Sequence, residues 1–188
     1  MKAYLEQVAK LLAVGKTTGN NHSEDMLHYT RMNLKRMNRW MKKGQISPEV
    51  ESVVKNIREP QKWVVLTEAW CGDAAHVLPF IAKITELNPN IRLEIKLRDE
   101  NLELMDQHLT NGGRSIPKLI AFDEEGNEMF EWGPRPAVIQ DAFLQMKAAD
   151  IDPAERTLEL QKRYNQDKGQ AIQTEIAEKI RACEPCMA

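Results

Sequence analysis

Residues 61–149 alternate between two hydrophobic periods, and the order of that alternation constrains the fold more than any other feature of this chain. Trp63 to Trp70 is a short, β-rich apolar run of the kind that forms a buried strand. Residues 72–87 carry Val77, Leu78, Phe80, Ile81, Ile84 and Leu87 at helical spacing. Pro79 lies inside that helix and is expected to kink it, because the ring removes an N–H and crowds a carbonyl. Ile91, Leu93, Ile95 and Leu97 alternate as a strand does. Leu102 to Leu109 reads as a helix stopped by Gly112-Gly113. Lys118 to Phe122 and Glu128 to Trp132 flank Asp123-Glu124-Glu125-Gly126-Asn127, a hairpin signal, and Ala137 to Ala149 is a closing helix. The first strand–helix–strand is expected to form a right-handed parallel crossover. The fold class is therefore α/β, a mixed sheet flanked by helices.

The flanks read as helical extensions. We divide the chain into an N-terminal extension over 1–58, a core over 59–149 and a C-terminal tail over 150–188. In the first, Tyr4, Leu5, Val8, Leu11 and Leu12 share one helical face, and Gly15 to Asn21 breaks it. Ser23 is an expected N-cap, followed by a stripe of Met26, Thr30, Leu34, Met37 and Met41. Ser47-Pro48 opens a third helix, which Pro60 ends. In the tail, Asp152-Pro153-x-Glu155 has the form of a capping box. Behind it Leu158, Ile172, Ile176 and Ile180 make a thin stripe, with Gly169 weakening the middle.

Composition removes several function classes. With 26 Lys+Arg against 28 Asp+Glu the net charge is -2, so the concentrated positive charge of a nucleic-acid or membrane-surface binder is missing. No run of 18 apolar residues spans a bilayer. Three cysteines, an odd number, do not make a disulfide-stapled scaffold. The expectation is a cytoplasmic monomer or weak dimer. No cofactor motif survives inspection: Gly15-Lys16-Thr17 mimics a phosphate loop, but it follows a helix and lacks the earlier glycine.

The strongest chemical signal is Trp70-Cys71-Gly72-Asp73-Ala74 at a strand-to-helix junction. Amide N–H groups and the dipole at a helix start stabilise a thiolate, so the Cys71 pKa is expected below the free value. The thiolate is the attacking form in disulfide exchange.

This stretch resembles the thioredoxin superfamily, whose signature is Trp-Cys-Gly-Pro-Cys after a strand. Pro79 falls eight residues past Cys71, where that family has its helix proline. Ile116-Pro117 precedes the strand at 118–122, where the family has a cis peptide facing the cysteine, and Gly126 and Gly133 also match. The resemblance covers about residues 61–149 and implies a thioredoxin-like sheet. It implies that Cys71 is the nucleophile, that Ile116 docks the backbone of an extended substrate, that Pro117 walls the sulfur and that Trp70 covers one side, with Gly72 and Asp73 at the substrate surface. The implied partner is a protein or a low-molecular-weight thiol or disulfide.

The departures carry equal weight. Ala74 stands where the family has its resolving cysteine, so the site cannot close its own disulfide. That fits a natural single-cysteine member, a chain that kept a peptide-binding surface without redox chemistry, or a cysteine-to-alanine trapping variant. Asp73 replaces the family's proline, and its charge opposes the thiolate. Val65 replaces the family's buried acid. Strand alternation puts Glu68 on the opposite face from Val65, so Glu68 is not expected to substitute.

The remaining groups have weaker signals. Cys183 and Cys186 form a C-x-x-C that reads as a resolving pair, a zinc half-site or idle thiols of a frayed tail. No metal site is expected from them in a single chain. His76 is five residues past Cys71, a step that rotates it away, so a solvated imidazole is expected. His22, His28 and His108 share no ligand spacing. Arg31, Lys35, Arg36, Arg39, Lys42 and Lys43 read as a solvated face. Arg135, in Trp132-Gly133-Pro134-Arg135-Pro136, is either a surface residue in a rigid turn or a cation near Cys71 that helps its thiolate or binds an anionic thiol. The functional expectation is a thiol–disulfide redox protein acting through Cys71, with a redox-inactive binding module as the alternative.

Overall fold

The computed structural model describes residues 1–183. Three helices come first: α1 (Lys2–Ala13), α2 (Glu24–Lys43) and α3 (Pro48–Lys55). Then follow β1 (Gln61–Thr67), α4 (Ala74–Thr85), β2 (Ile91–Leu97), α5 (Leu102–Gln107), β3 (Lys118–Phe122), β4 (Glu128–Trp132) and α6 (Ala137–Ala148). Helices α7 (Pro153–Asp167) and α8 (Gln170–Ala182) complete the described residues. Among these the sheet has the order β2-β1-β3-β4. β1 and β2 run parallel, as the crossover requires, while β3 is antiparallel to both β1 and β4.

Alternation along the strands sorts side chains into two cores. Trp63 and Val65 of β1, Leu119 and Ala121 of β3, and Phe130 and Trp132 of β4 face the larger one, with α4, α8 and α3. Trp63 meets Phe130 edge-on at 5.5 Å. Leu66 and Ile120 face a smaller core with Met105 of α5, and this core also holds Cys71, Ala74 and Ile116. The cysteine therefore sits at a sheet end, packed into the minor core.

The extensions differ from expectation in informative ways. On α2 the buried residues are Leu27, Thr30, Asn33, Met37 and Trp40, so the buried stripe is rotated from the methionine stripe. The rotation follows from the polar residues: Thr30 bonds the Thr17 hydroxyl at 2.6 Å, and Asn33 donates to the Ala69 carbonyl at 3.0 Å. In the tail, Asp152 accepts from the Ala154 and Glu155 amides, as a cap should. The helix then stops and restarts. Lys168 and Gly169 are both left-handed, with φ of 54° and 78°. A Cβ at Gly169 would overlap the Phe80 ring, so the close approach of α7–α8 to α4 requires glycine. Leu158, expected in the stripe, is 58 % exposed, and Leu160 and Tyr164 are buried instead.

Candidate functional site

Both extensions hold the Cys71 turn, which spans residues 68–73 between β1 and α4. On its N-terminal flank the Ala69 amide donates to Thr18 Oγ1 at 2.8 Å, and Asn33 Nδ2 donates to the Ala69 carbonyl. Thr17 and Thr18 are buried, so the Gly15–Asn21 break in the sequence is packed at its centre and acts there as a strut. The Cys71 amide then donates to the Glu68 carbonyl at 3.1 Å. These bonds fix the chain where it leaves the sheet.

The sulfur lies between two backbone groups. The Ala74 amide at the start of α4 points at Cys71 Sγ at 3.5 Å, and the thiol donates to the Ile116 carbonyl at 3.4 Å. The Ile116–Pro117 peptide is cis. The Gly133–Pro134 peptide is cis as well, which the sequence reading did not anticipate. Gly133 has φ of 122°, and a Cβ there would overlap the Pro117 carbonyl oxygen, so glycine lets the β4–α6 loop pack on the Pro117 peptide. Trp70 is partly exposed beside the turn, with the Arg98 guanidinium 5.2 Å from its ring.

Burial, followed by the Asp73 carboxylate, pushes Cys71 up to about 12, against the Ala74 and Asp73 amides and Arg135. The expected helix-start stabilisation is present but smaller than the cost of desolvating a thiolate in the minor core.

On the C-terminal flank, Asp73 is doubly held. Arg135 Nη2 lies 2.7 Å from Oδ2, and the Tyr164 hydroxyl donates to Oδ1 at 2.9 Å. Arg135 also donates to Gln140 and lies over the Phe143 ring at 4.2 Å. It is thus the cation near Cys71 and not a surface residue. His76, expected in solvent, is buried. Trp40 Nε1 donates to its Nδ1 at 3.1 Å, so its proton sits on Nε2 and is donated to Gln161 Oε1 at 2.6 Å. Tyr164 stacks on the imidazole at 4.6 Å. Burial lowers its pKa to about 4, and the ring is neutral at pH 7. The step of five did rotate His76 away from Cys71, but into the interface with α2 and α7.

Strand alternation, which excludes Glu68 as a substitute for the buried acid, does not govern it, because β1 ends at Thr67. Glu68 is buried, its carboxylate accepts from the Asp99 amide at 3.0 Å, and burial raises its pKa.

A family model described as Thioredoxin matches residues 19–152. The chain belongs to the thioredoxin family. No curated protein matches it. Among solved structures, it is similar to a protein of unknown function from Pseudomonas aeruginosa, with TM-score 0.59, 19% identity, 93% of this chain and 96% of that one covered. It is likewise similar to an HIV epitope-scaffold, with TM-score 0.60, 18% identity, and 93% and 98% covered. These likenesses establish a shared fold. In this thioredoxin-family chain the match takes in α2 and α3 as well as the sheet, so Asn33, which holds the Ala69 carbonyl, lies within the family region, while Thr18 lies just before it.

Of the other candidate groups, Cys183 caps α8 and is buried in the larger core, whereas Cys71 belongs to the minor one; Cys186 lies outside the described residues. On the basic run Arg36 bonds Asn33, and Arg39 bonds Asn165 and covers Trp40, while Arg31, Lys35, Lys42 and Lys43 are exposed. His108, missed because its partners come from a strand, gathers with Glu128 and Glu131, their ligand atoms within 4.8 Å of one another. The buried Lys118 ammonium sits 3.4 Å from Glu131 and already supplies a cation there. No helix among the described residues is long and apolar enough to cross a membrane.

Proposed function

We propose that this thioredoxin-family protein performs thiol–disulfide exchange through Cys71 alone. The observation that carries the reading is the placement of a free thiol between the first amide of α4 and the carbonyl of a cis Ile116–Pro117 peptide. The Cys71 thiolate attacks one sulfur of a substrate disulfide. A Cys71–substrate disulfide forms, the substrate S–S bond breaks, and the leaving sulfur takes the electron pair and a proton. Ala74 has no thiol, so a thiolate from a second molecule attacks the mixed disulfide and releases Cys71. Cys183 is disulfide-bonded in this structure, so it offers a resolving thiolate only after reduction. Substrate docking along Trp70, Gly72, Asp73, Ile116 and Pro117 displaces the Ile116 carbonyl from the sulfur and frees the thiol to ionise.

The raised Cys71 pKa favours a second reading, in which the same surface holds a peptide without turnover. The two separate cleanly. The folded protein is treated with dithiodipyridine at pH 7, and peptides are mapped by mass. Exchange predicts a mixed disulfide on Cys71, absent from Cys71→Ser and released by an added thiol. A native chain that stays unlabelled while the urea-unfolded chain reacts stoichiometrically sinks the exchange reading and leaves the binding module.

A further inference from the structure

The cleft between the Cys71 turn and α7 shares Gly72 and Asp73 with the docking surface, and its other walls have no role in the exchange step itself. It encloses about 230 Å³, and its walls are Gly72 and Asp73 of the turn, Arg135 and Phe143 from the core, and Arg156 and Gln161 of α7. A volume of that size holds a group such as a carboxylate on a short chain, since a water takes about 30 Å³.

Its polar groups are unbalanced. Asp73 is the one acidic wall residue, and Arg135 and Tyr164 already saturate it. Two guanidinium groups line the cleft, both on the Phe143 ring, at 4.2 Å for Arg135, which is paired with Asp73, and 5.9 Å for Arg156. Arg135 Nε is buried with no hydrogen-bond partner. Arg156 donates through Nη1 to the Ile151 carbonyl at 3.0 Å, and no carboxylate among the described residues pairs with it. Gln161 spends its carbonyl oxygen on His76, which leaves its amide nitrogen, close against Gly72, as a donor. The cleft therefore carries one net positive charge and an excess of donors, one residue from the reactive cysteine. Guanidinium forks match carboxylates in a paired geometry that a lone ammonium does not.

We propose that this cleft is a carboxylate subsite, in which Arg156, with Gln161 and Arg135, holds the carboxylate of a small thiol or disulfide that exchanges with Cys71. The inference rests on the exchange reading and names its substrate class. The held disulfide is the oxidant: Cys71–S⁻ attacks its near sulfur, Cys71 joins that half, and the far half leaves as a thiolate with the electron pair. The subsite comes from α7, so the C-terminal extension supplies specificity that the sheet and α4 alone lack.

The test compares disulfides of one size and different charge on the full-length protein. Labelling rates at Cys71 are measured with dithiodipropionate, its neutral diamide and the cationic cystamine. The expected order places the carboxylate about tenfold ahead of the diamide, the factor that one charge-assisted contact of about 1.4 kcal/mol provides, and cystamine last. Arg156→Gln collapses the ratio of carboxylate to diamide rates towards one, while Arg156→Lys keeps only part of it, because a lone ammonium lacks the paired geometry. Equal rates in the wild type, or a ratio that survives Arg156→Gln, overturns the subsite. A second arm titrates Cys71→Ser protein with methylthiopropionate, which has the carboxylate but no exchangeable sulfur bond, and follows amide NMR shifts. Saturable shifts at Gly72 and Gln161 that Arg156→Gln removes support the subsite even if no disulfide labels Cys71. In that case exchange fails and carboxylate binding stands. An absence of shifts overturns the subsite whatever the labelling rates.

Discussion

The two flanks of the Cys71 turn are held by opposite chemistry. Before the cysteine, Thr18 and Asn33 grip the Ala69 amide and carbonyl with neutral hydrogen bonds, in a site closed to water. After it, Asp73 and His76 are held through side chains: a carboxylate between Arg135 and Tyr164, and an imidazole between Trp40 and Gln161. The first flank's grip on Ala69 is uncharged, and its one titratable group in the turn is the buried Glu68 carboxyl, whose pKa burial raises. The second has charge and a titratable ring, and its carboxylate acts directly on the Cys71 thiol. One side of the turn is gripped through its backbone by neutral groups, and the other through its side chains by an ion pair and a buried imidazole.

The largest expected contrast is in stability against pH. His76 is depressed to about 4 in the folded chain from 6.5. Between these values the unfolded chain binds the extra proton, so the stability that neutral His76 contributes is present above pH 6.5 and is lost as pH falls towards 4, by about 3 kcal/mol. Urea midpoints recorded across that window should slope down towards acid, and His76→Gln should flatten the slope. An unchanged slope in the variant would place the titration elsewhere.

Thr18→Val probes the N-terminal flank. It leaves the buried Ala69 amide without its acceptor at nearly constant volume, and the cost is about 2 kcal/mol. The loss should be larger at pH 8 than at pH 5 by chemical denaturation, because the Thr18 hydroxyl also favours the ionised Glu68. Tyr164→Phe probes the C-terminal flank and removes one donor from Asp73, for about 1 kcal/mol. Its thermal shift should be smaller than that of Thr18→Val; a larger one would mean that the tail, not the strut, holds the turn.

Asp73→Asn has the smallest expected effect on the backbone and sharpens the contrast most. It removes the carboxylate that raises the Cys71 pKa and leaves Arg135, which lowers it, so the iodoacetamide rate–pH profile should move to lower pH. Thr18→Val should leave that profile in place. If both variants moved it equally, the two flanks would not differ in kind.

Much of this was legible in the residues. The period changes over 61–149 gave the order of elements and the parallel β1–β2 pair, because a strand or helix with one apolar face announces itself locally. The position of Cys71 at the head of α4 and of Pro117 before β3 could be read the same way. The surroundings of the thiol could not. Val65 and Glu68 were judged by strand alternation, which fails one residue past the strand end. His76 was judged by its rotation from Cys71, which said nothing of the Trp40 and Gln161 that meet it from 36 and 85 residues away.

The sequence by itself determined which residues could carry the chemistry: one cysteine at a strand-to-helix junction, with alanine in the partner position. That information is local, encoded in residue type and spacing. Whether the thiol is acid or inert, whether Arg135 is surface or site, and what lies over Asp73 were decided only by the tertiary structure. Desolvation and pairing depend on distances between segments far apart in the chain, and here α2 and α7 converge on the turn and set both.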